Sequence, residues 1–159
     1  MGVITMDGRV AVGFATSIAT IALPTVTELT TGSTRLETFI TPDGLEITPT
    51  TGEVDVSNLG SVANASRAGR IKWAIKITFH HDGPTDTPWN LLPYRTNGFL
   101  WVRRMIDRTT AIASGQKLAV YAVEAGEPDE DDPKPDGVFD FTSDFFVTEL
   151  GYNSRSVVA

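Results

Sequence analysis

The clearest pattern in the chain runs from Arg70 to His80, where Ile71, Trp73, Ile75, Ile77 and Phe79 alternate with Arg70, Lys72, Ala74, Lys76, Thr78 and His80. A period of two over this length predicts a strand with one buried and one wetted face, the pattern of antiparallel sheets. It stops at His81-Asp82-Gly83-Pro84, a cluster of turn residues. Phe99 to Ile106 is apolar on both faces at its start and follows Asn97-Gly98, a strong turn signal, so it predicts a more central strand. Lys117 to Ala125 follows Ser114-Gly115 and reads the same way. Val138 to Leu150 is rich in Phe and Val and predicts a final strand or bent pair, interrupted at Thr142-Ser143-Asp144. Earlier, Arg35 to Thr41 and Leu45 to Thr48 flank Pro42-Asp43-Gly44, which has the composition of a tight turn, and Glu53 to Ser57 alternates again.

Helical signals are brief. Thr25 and Glu28 form the spacing of a capping box with Gly32 as a stop, and Thr87-Pro88-Trp89-Asn90-Leu91-Leu92 offers a cap and a proline at the first helical position. Together these segments predict a mostly β domain. No linker divides residues 24–159, which read as one domain containing a long polar loop at 49–69 and an acidic loop at 126–137. Loops of that length are functional or disordered, and both are candidate contact arms. Residues 1–23 read as an N-terminal arm or edge strand that pairs in a neighbouring subunit; the apolar run after Arg9 is too short to span a bilayer and is diluted by Gly13, Thr16, Ser17 and Thr20.

Charge narrows the function. Thirteen Lys and Arg against twenty Asp and Glu give −7, which repels a phosphate backbone and supplies no basic groove. Cysteine is absent, so no disulfide, thiolate metal site or cysteine nucleophile exists. His80 and His81, adjacent on a strand, point to opposite faces and do not share a metal. The acidic run from Glu127 to Asp136 lacks the ligand spacing of a calcium loop and, broken by prolines, reads as a solvated loop. None of the familiar nucleophile, phosphate-loop, dinucleotide or zinc-protease motifs is present. Trp73 and Trp101 sit within apolar strands and read as core rather than as stacking platforms. These residues predict no enzyme, no cofactor and no metal.

The order of landmarks resembles the tail tube (major tail) proteins of long non-contractile-tailed bacteriophages, especially those infecting actinobacteria. The landmarks are Thr41 to Ile47, Glu53 to Leu59, Thr87 to Pro93, Thr96 to Arg104, Gly115 to Tyr121 and Phe139 to Thr142. The resemblance spans about Pro24 to Leu150 and implies an antiparallel β-sandwich or half-barrel with one short flanking helix, and a structural virion protein of the phage tail, assembled in the host cytoplasm. Its subunits form hexameric rings stacked into a hollow tube, one sheet of each closing into a continuous inner β-barrel. The implied partners are other copies of the chain, the tape measure protein, the tail tip or baseplate and the tail terminator; phage DNA passes in transit through an acidic lumen, and no membrane is engaged. A β-sandwich binding module for carbohydrate or a cell-surface partner is the alternative. Leu45, Ile47, Val54, Val56 and Leu59 are spaced as apolar anchors along the polar segment and are the candidate assembly-interface residues, ordered on stacking.

Overall fold

The computed structural model describes residues 2–159, and of Tyr152, Asn153 and Ser154 the backbone alone. Nine strands and two short helices follow in the order β1 (Val10–Ala15), α1 (Val26–Thr30), β2 (Ser33–Arg35), β3 (Ile40–Asp55), β4 (Ser66–His80), α2 (Thr87–Leu91), β5 (Asn97–Arg104), β6 (Lys117–Ala125), β7 (Asp129–Glu130), β8 (Asp140–Val147) and β9 (Tyr152–Val157). All pairings are antiparallel, in the spatial order β2-β1-β5-β6-β8-β4-β3. β6 gives one edge to two partners: β9 pairs with its first half and β8 with its last three residues.

This sheet is not closed; it curls over on itself. Val12 and Phe14 of β1 share one buried cluster with Ile75, Ile77 and Phe79 of β4, strands that are not neighbours in the sheet, with Leu100, Tyr121, Phe141 and Phe145 between them. The other face of β1, β5 and β6 is covered too. There Ala11, Trp101, Leu118 and Val120 pack with Leu29 of α1, Ile18, Ile112 and Val158. Burial on both faces explains why β5 and β6 read as continuous apolar runs, whereas β4, covered on one face, alternates. The result is the mostly β fold predicted from the pattern, in an open sheet consistent with the sandwich or half-barrel that the resemblance implies and with two short helices rather than one.

Four local readings change. Residues 1–23 are not wholly an arm: Val10–Ala15 forms an interior strand between β2 and β5, with Ala11 and Ala15 on one face and Val12 and Phe14 on the other all buried. A strand buried on both faces has no alternation to betray it. Pro42-Asp43-Gly44 is not a turn between two strands but lies in an irregularity inside β3, where the register passes from Ile40↔Phe79 to Leu45↔Ile77. A Cβ on Gly44 would stand 2.6 Å from the Thr78 carbonyl oxygen, so glycine permits that close approach. Asn97-Gly98 opens β5 rather than making a hairpin turn, and there the glycine makes room for Phe14, whose Cζ would lie 2.3 Å from an added Cβ. Finally, β8 runs unbroken through Thr142-Ser143-Asp144, and β9 follows beyond the last strand expected.

Both helices fall where their signals stood. Thr25 caps α1 through a reciprocal box: its hydroxyl accepts from Glu28 N–H (3.2 Å), and the Glu28 carboxylate accepts from Thr25 N–H (2.8 Å) and Ala19 N–H (3.0 Å). α2 carries its proline in the first turn, but the residue before it is Asp86 in a left-handed conformation (φ 41°) with no capping bond. The Asp86 carboxylate is occupied elsewhere, bonded to His81 Nδ1 at 2.7 Å.

Candidate assembly surfaces

The segment expected as a long loop at 49–69 is mostly paired. β3 and β4 remain in register from Leu45↔Ile77 out to Asp55↔Ser66, with one shift between Thr51 and Glu53. β8 accompanies β4 only as far as Ala74, so beyond it the hairpin stands alone. Nearly every residue of this outer half is exposed. That is why its composition is polar and its strands show no alternation: neither face has a core to meet. Threonine and valine nonetheless suit extended backbone.

The hairpin tip is built by its own polar groups. Val56 N–H donates to the Ala65 carbonyl (2.9 Å), Ser57 N–H to Asp55 Oδ1 (2.8 Å), Ala65 N–H to Ser57 Oγ (2.8 Å), and Gly60 N–H to Asn58 Oδ1 (3.0 Å). The bond from the Ser57 backbone holds the Asp55 carboxyl below its ordinary pKa. With the backbone so engaged, Leu59 and Val62 point outward and are fully exposed (107% and 106%), flanked by half-exposed Val54 and Val56. Residues 56–66 carry no charge. This exposed, uncharged apolar tip, held away from the body, is buried against none of the described residues of its own subunit.

The five anchors read from the sequence therefore divide. Leu45 and Ile47 lie at the root of the hairpin, packed against the main cluster, while Val54, Val56 and Leu59 lie on the projecting part. Val62, equally exposed, was missed because it sits alone among Ser, Ala and Asn; the same absence of charge that marks Leu59 marks it too. Beside the root is a groove of about 450 Å³ whose lining includes Met6, Val10, Ile40, Pro42 and Leu45, with Asp7, Glu37 and Arg108 also present. It brings together three segments distant in sequence.

Two further surfaces are open. The outward faces of β3, β4 and β8 carry Glu46, Lys76 and Asp144 in one cross-strand row and Thr48, Ala74 and Phe146 in the next, Phe146 being 62% exposed. Among the described residues nothing covers this face, and its charges are mixed. The acidic segment at 126–137 lies at the His80 end of the same strands, where β7 pairs with Thr142 and Phe141 of β8. Val138 and Phe139 beside it are exposed.

The histidines make separate, local contacts. His80 bonds Asp140; His81 bonds Asp86 and packs against Trp89 and Phe141 at ring separations of 5.3 and 4.9 Å. Among the described residues no three His, Asp or Glu side chains converge as a metal site. Trp101 is fully buried, its Nε1–H donating to Ser33 Oγ at 2.7 Å, and Trp73 is half-buried, edge-on to Tyr121.

These features define a β protein with an open antiparallel sheet and a projecting apolar hairpin. The chain belongs to the phage tail tube protein family, whose model matches residues 1–159. It is thus a structural component of the virion tail. The fold is similar to that of a chain in the cryo-EM structure of the anti-feeding prophage (AFP) baseplate, 6-fold symmetrised, with a TM-score of 0.61 over 98% of this chain and 99% of that one at 9% identity. Comparison with curated proteins finds no match.

Proposed function

We propose that copies of this chain form hexameric rings that stack into the tail tube, and that phage DNA passes through the bore into the host. The observation that carries this reading is the β3–β4 hairpin, which extends past the core with an apolar tip its own subunit leaves bare. Membership of the tail tube family supports it, as does the likeness in fold to a chain from a six-fold symmetrised assembly. Ring closure would use the open sheet: the outer edge of β3 and the stretch Ser66–Trp73 of β4, which β8 does not reach, are unpaired edges of the kind that closure removes.

The uncovered face of β3, β4 and β8 is the candidate bore. Glu46 and Asp144 flank Lys76 on it, Lys72 and Arg70 continue the same face of β4 toward the hairpin, and the acidic excess lies off this face in the 126–137 loop. At the tube's ends the tape measure, terminator and tail-tip proteins take the place of further rings, in a tail of the long non-contractile type. Assembly takes place in the host cytoplasm, and the chain performs no catalysis.

Electron microscopy of the purified protein tests this directly. Tubes with six-fold rings are expected, and removal of residues 57–64 should leave rings that do not stack. A protein that stays monomeric at millimolar concentration yet binds a glycan would instead favour the binding-module alternative.

A further inference from the structure

His81, the residue after β4, is held between two carboxylates from different parts of the chain. Its Nδ1 lies 2.7 Å from Asp86 Oδ2 and its Nε2 lies 3.6 Å from Glu130 Oε1. Its side chain is 19% exposed, and the rings of Trp89 and Phe141 flank it.

The two contacts differ in firmness. Asp86 is anchored on the 82–86 turn: its second oxygen accepts from Asp82 N–H (3.2 Å), and its own N–H donates to the Asp82 carbonyl (3.0 Å). Glu130 sits on β7, a strand of two residues, and its side chain is 63% exposed. Through β7, and through Asp131 N–H donating to the Asp140 carbonyl (3.0 Å), the segment 126–137 is attached to β8. That segment carries six carboxylates and one lysine.

Protonation decides whether both contacts are made. Neutral imidazole has one N–H; donated to Asp86, it leaves the Nε2 lone pair facing the Glu130 carboxylate. The imidazolium donates on both sides. The other charged groups nearest on the adjoining elements are acidic as well: Asp82 in the turn, Asp129 on β7, and Asp140 at the head of β8, the last bonded to His80. α2 contributes Trp89 and no charge.

We propose that His81 is a pH-dependent latch: as the imidazolium it holds Glu130, and with it the acidic 126–137 segment, against the sheet, and on losing its proton it lets that segment go. A contact that needs the proton is present at acid pH and lost as pH rises, here between pH 5 and 8, where histidine titrates. The latch governs the freedom of the acidic segment and of exposed Val138 and Phe139 at its end. It works within one subunit and stands apart from the tube reading.

Hydrogen exchange of the full chain, read by mass spectrometry, tests this, with variants and wild type compared at the same pH so that the intrinsic exchange rate cancels. E130Q alters an exposed residue, and D129N removes an equally exposed charge one position away. At pH 5.5 residues 127–136 of E130Q should exchange about two- to fivefold faster than wild type, the range of a partly exposed ion pair, and at pH 8 the difference should vanish. D129N should follow wild type at both. Equal exchange of E130Q and wild type at pH 5.5 overturns the latch, and so does a difference that persists undiminished at pH 8. D129N exchanging as fast as E130Q also overturns it, because the effect then belongs to the overall charge of the segment and not to the histidine.

Discussion

Arg103 is fully buried, and its guanidinium organises a whole loop. It donates to the carbonyls of Asp107 (3.0 Å) and Thr110 (2.8 Å) and to Gln116 Oε1 (2.9 Å), fastening the chain between β5 and β6 across the second cluster. Burial pulls its pKa down from the arginine range, yet a guanidinium keeps its proton in protein interiors. Replacing it with leucine strands three acceptors, so R103L should lose about 3 kcal/mol or more in urea unfolding. R103K recovers only part, because an ammonium does not reproduce the planar fork. Glu28 makes a second prediction at this scale. The Thr25 and Ala19 backbone N–H groups hold its carboxyl below the usual value. A carboxyl with a lowered folded-state pKa stabilises the fold fully above the unfolded pKa of about 4.3 and loses that contribution as pH falls through the folded one. E28Q should therefore be less stable than the parent at pH 7, and the gap should narrow as thermal melts are taken from pH 5 towards pH 3.

Among the elements, close packing of β1 against β5 decides which substitutions the sheet tolerates. A Cβ on Gly98 would lie 2.3 Å from Phe14 Cζ and 2.8 Å from the Ala15 carbonyl oxygen; one on Gly13 would fall 2.4 Å from the Trp101 ring. Neither a backbone oxygen nor a buried indole gives way readily. G98A should cost about 2 kcal/mol, read from the denaturation midpoint at unchanged slope. The same glycine shows what sequence pattern reveals and what it hides. Asn97-Gly98 signals a turn, and the chain does enter a strand there, but the reason for glycine is contact with another strand, which no local pattern encodes. β4 and β6 were legible because alternation and apolar runs report burial directly. β1 was not, because Gly13 reads as dilution of an apolar run rather than as a tight fit against the Trp101 ring. The hairpin arm was read as loop for the converse reason: with no core on either side, its strands have no apolar face to display. Val54, Val56 and Leu59 stood out in it as lone apolar residues in polar surroundings. The groove could not be read, since Met6, Ile40 and Arg108 come together only in three dimensions.

For the whole molecule, the separation of charge from the tip sets how assembly responds to salt. Each subunit carries −7, so copies repel one another at low ionic strength, where the Debye length reaches about 30 Å at 0.01 M. The tip contributes no charge across residues 56–66. Screening therefore removes repulsion between rings without weakening the contact that joins them, and sulfate strengthens apolar burial further. Tube formation should rise from 0.01 to 0.5 M sodium chloride and rise again in sodium sulfate at equal ionic strength, measured by sedimentation of pelleted tubes. A stack held by ion pairs, such as the acidic 126–137 loop against Arg70 and Lys72 of a neighbour, would respond the opposite way and dissolve over the same range. The direction of the salt effect thus tells whether the tip or the charged loops join the rings. L59D/V62D should reduce pelleting at every salt concentration, because it places two carboxylates on a tip that is otherwise uncharged and apolar.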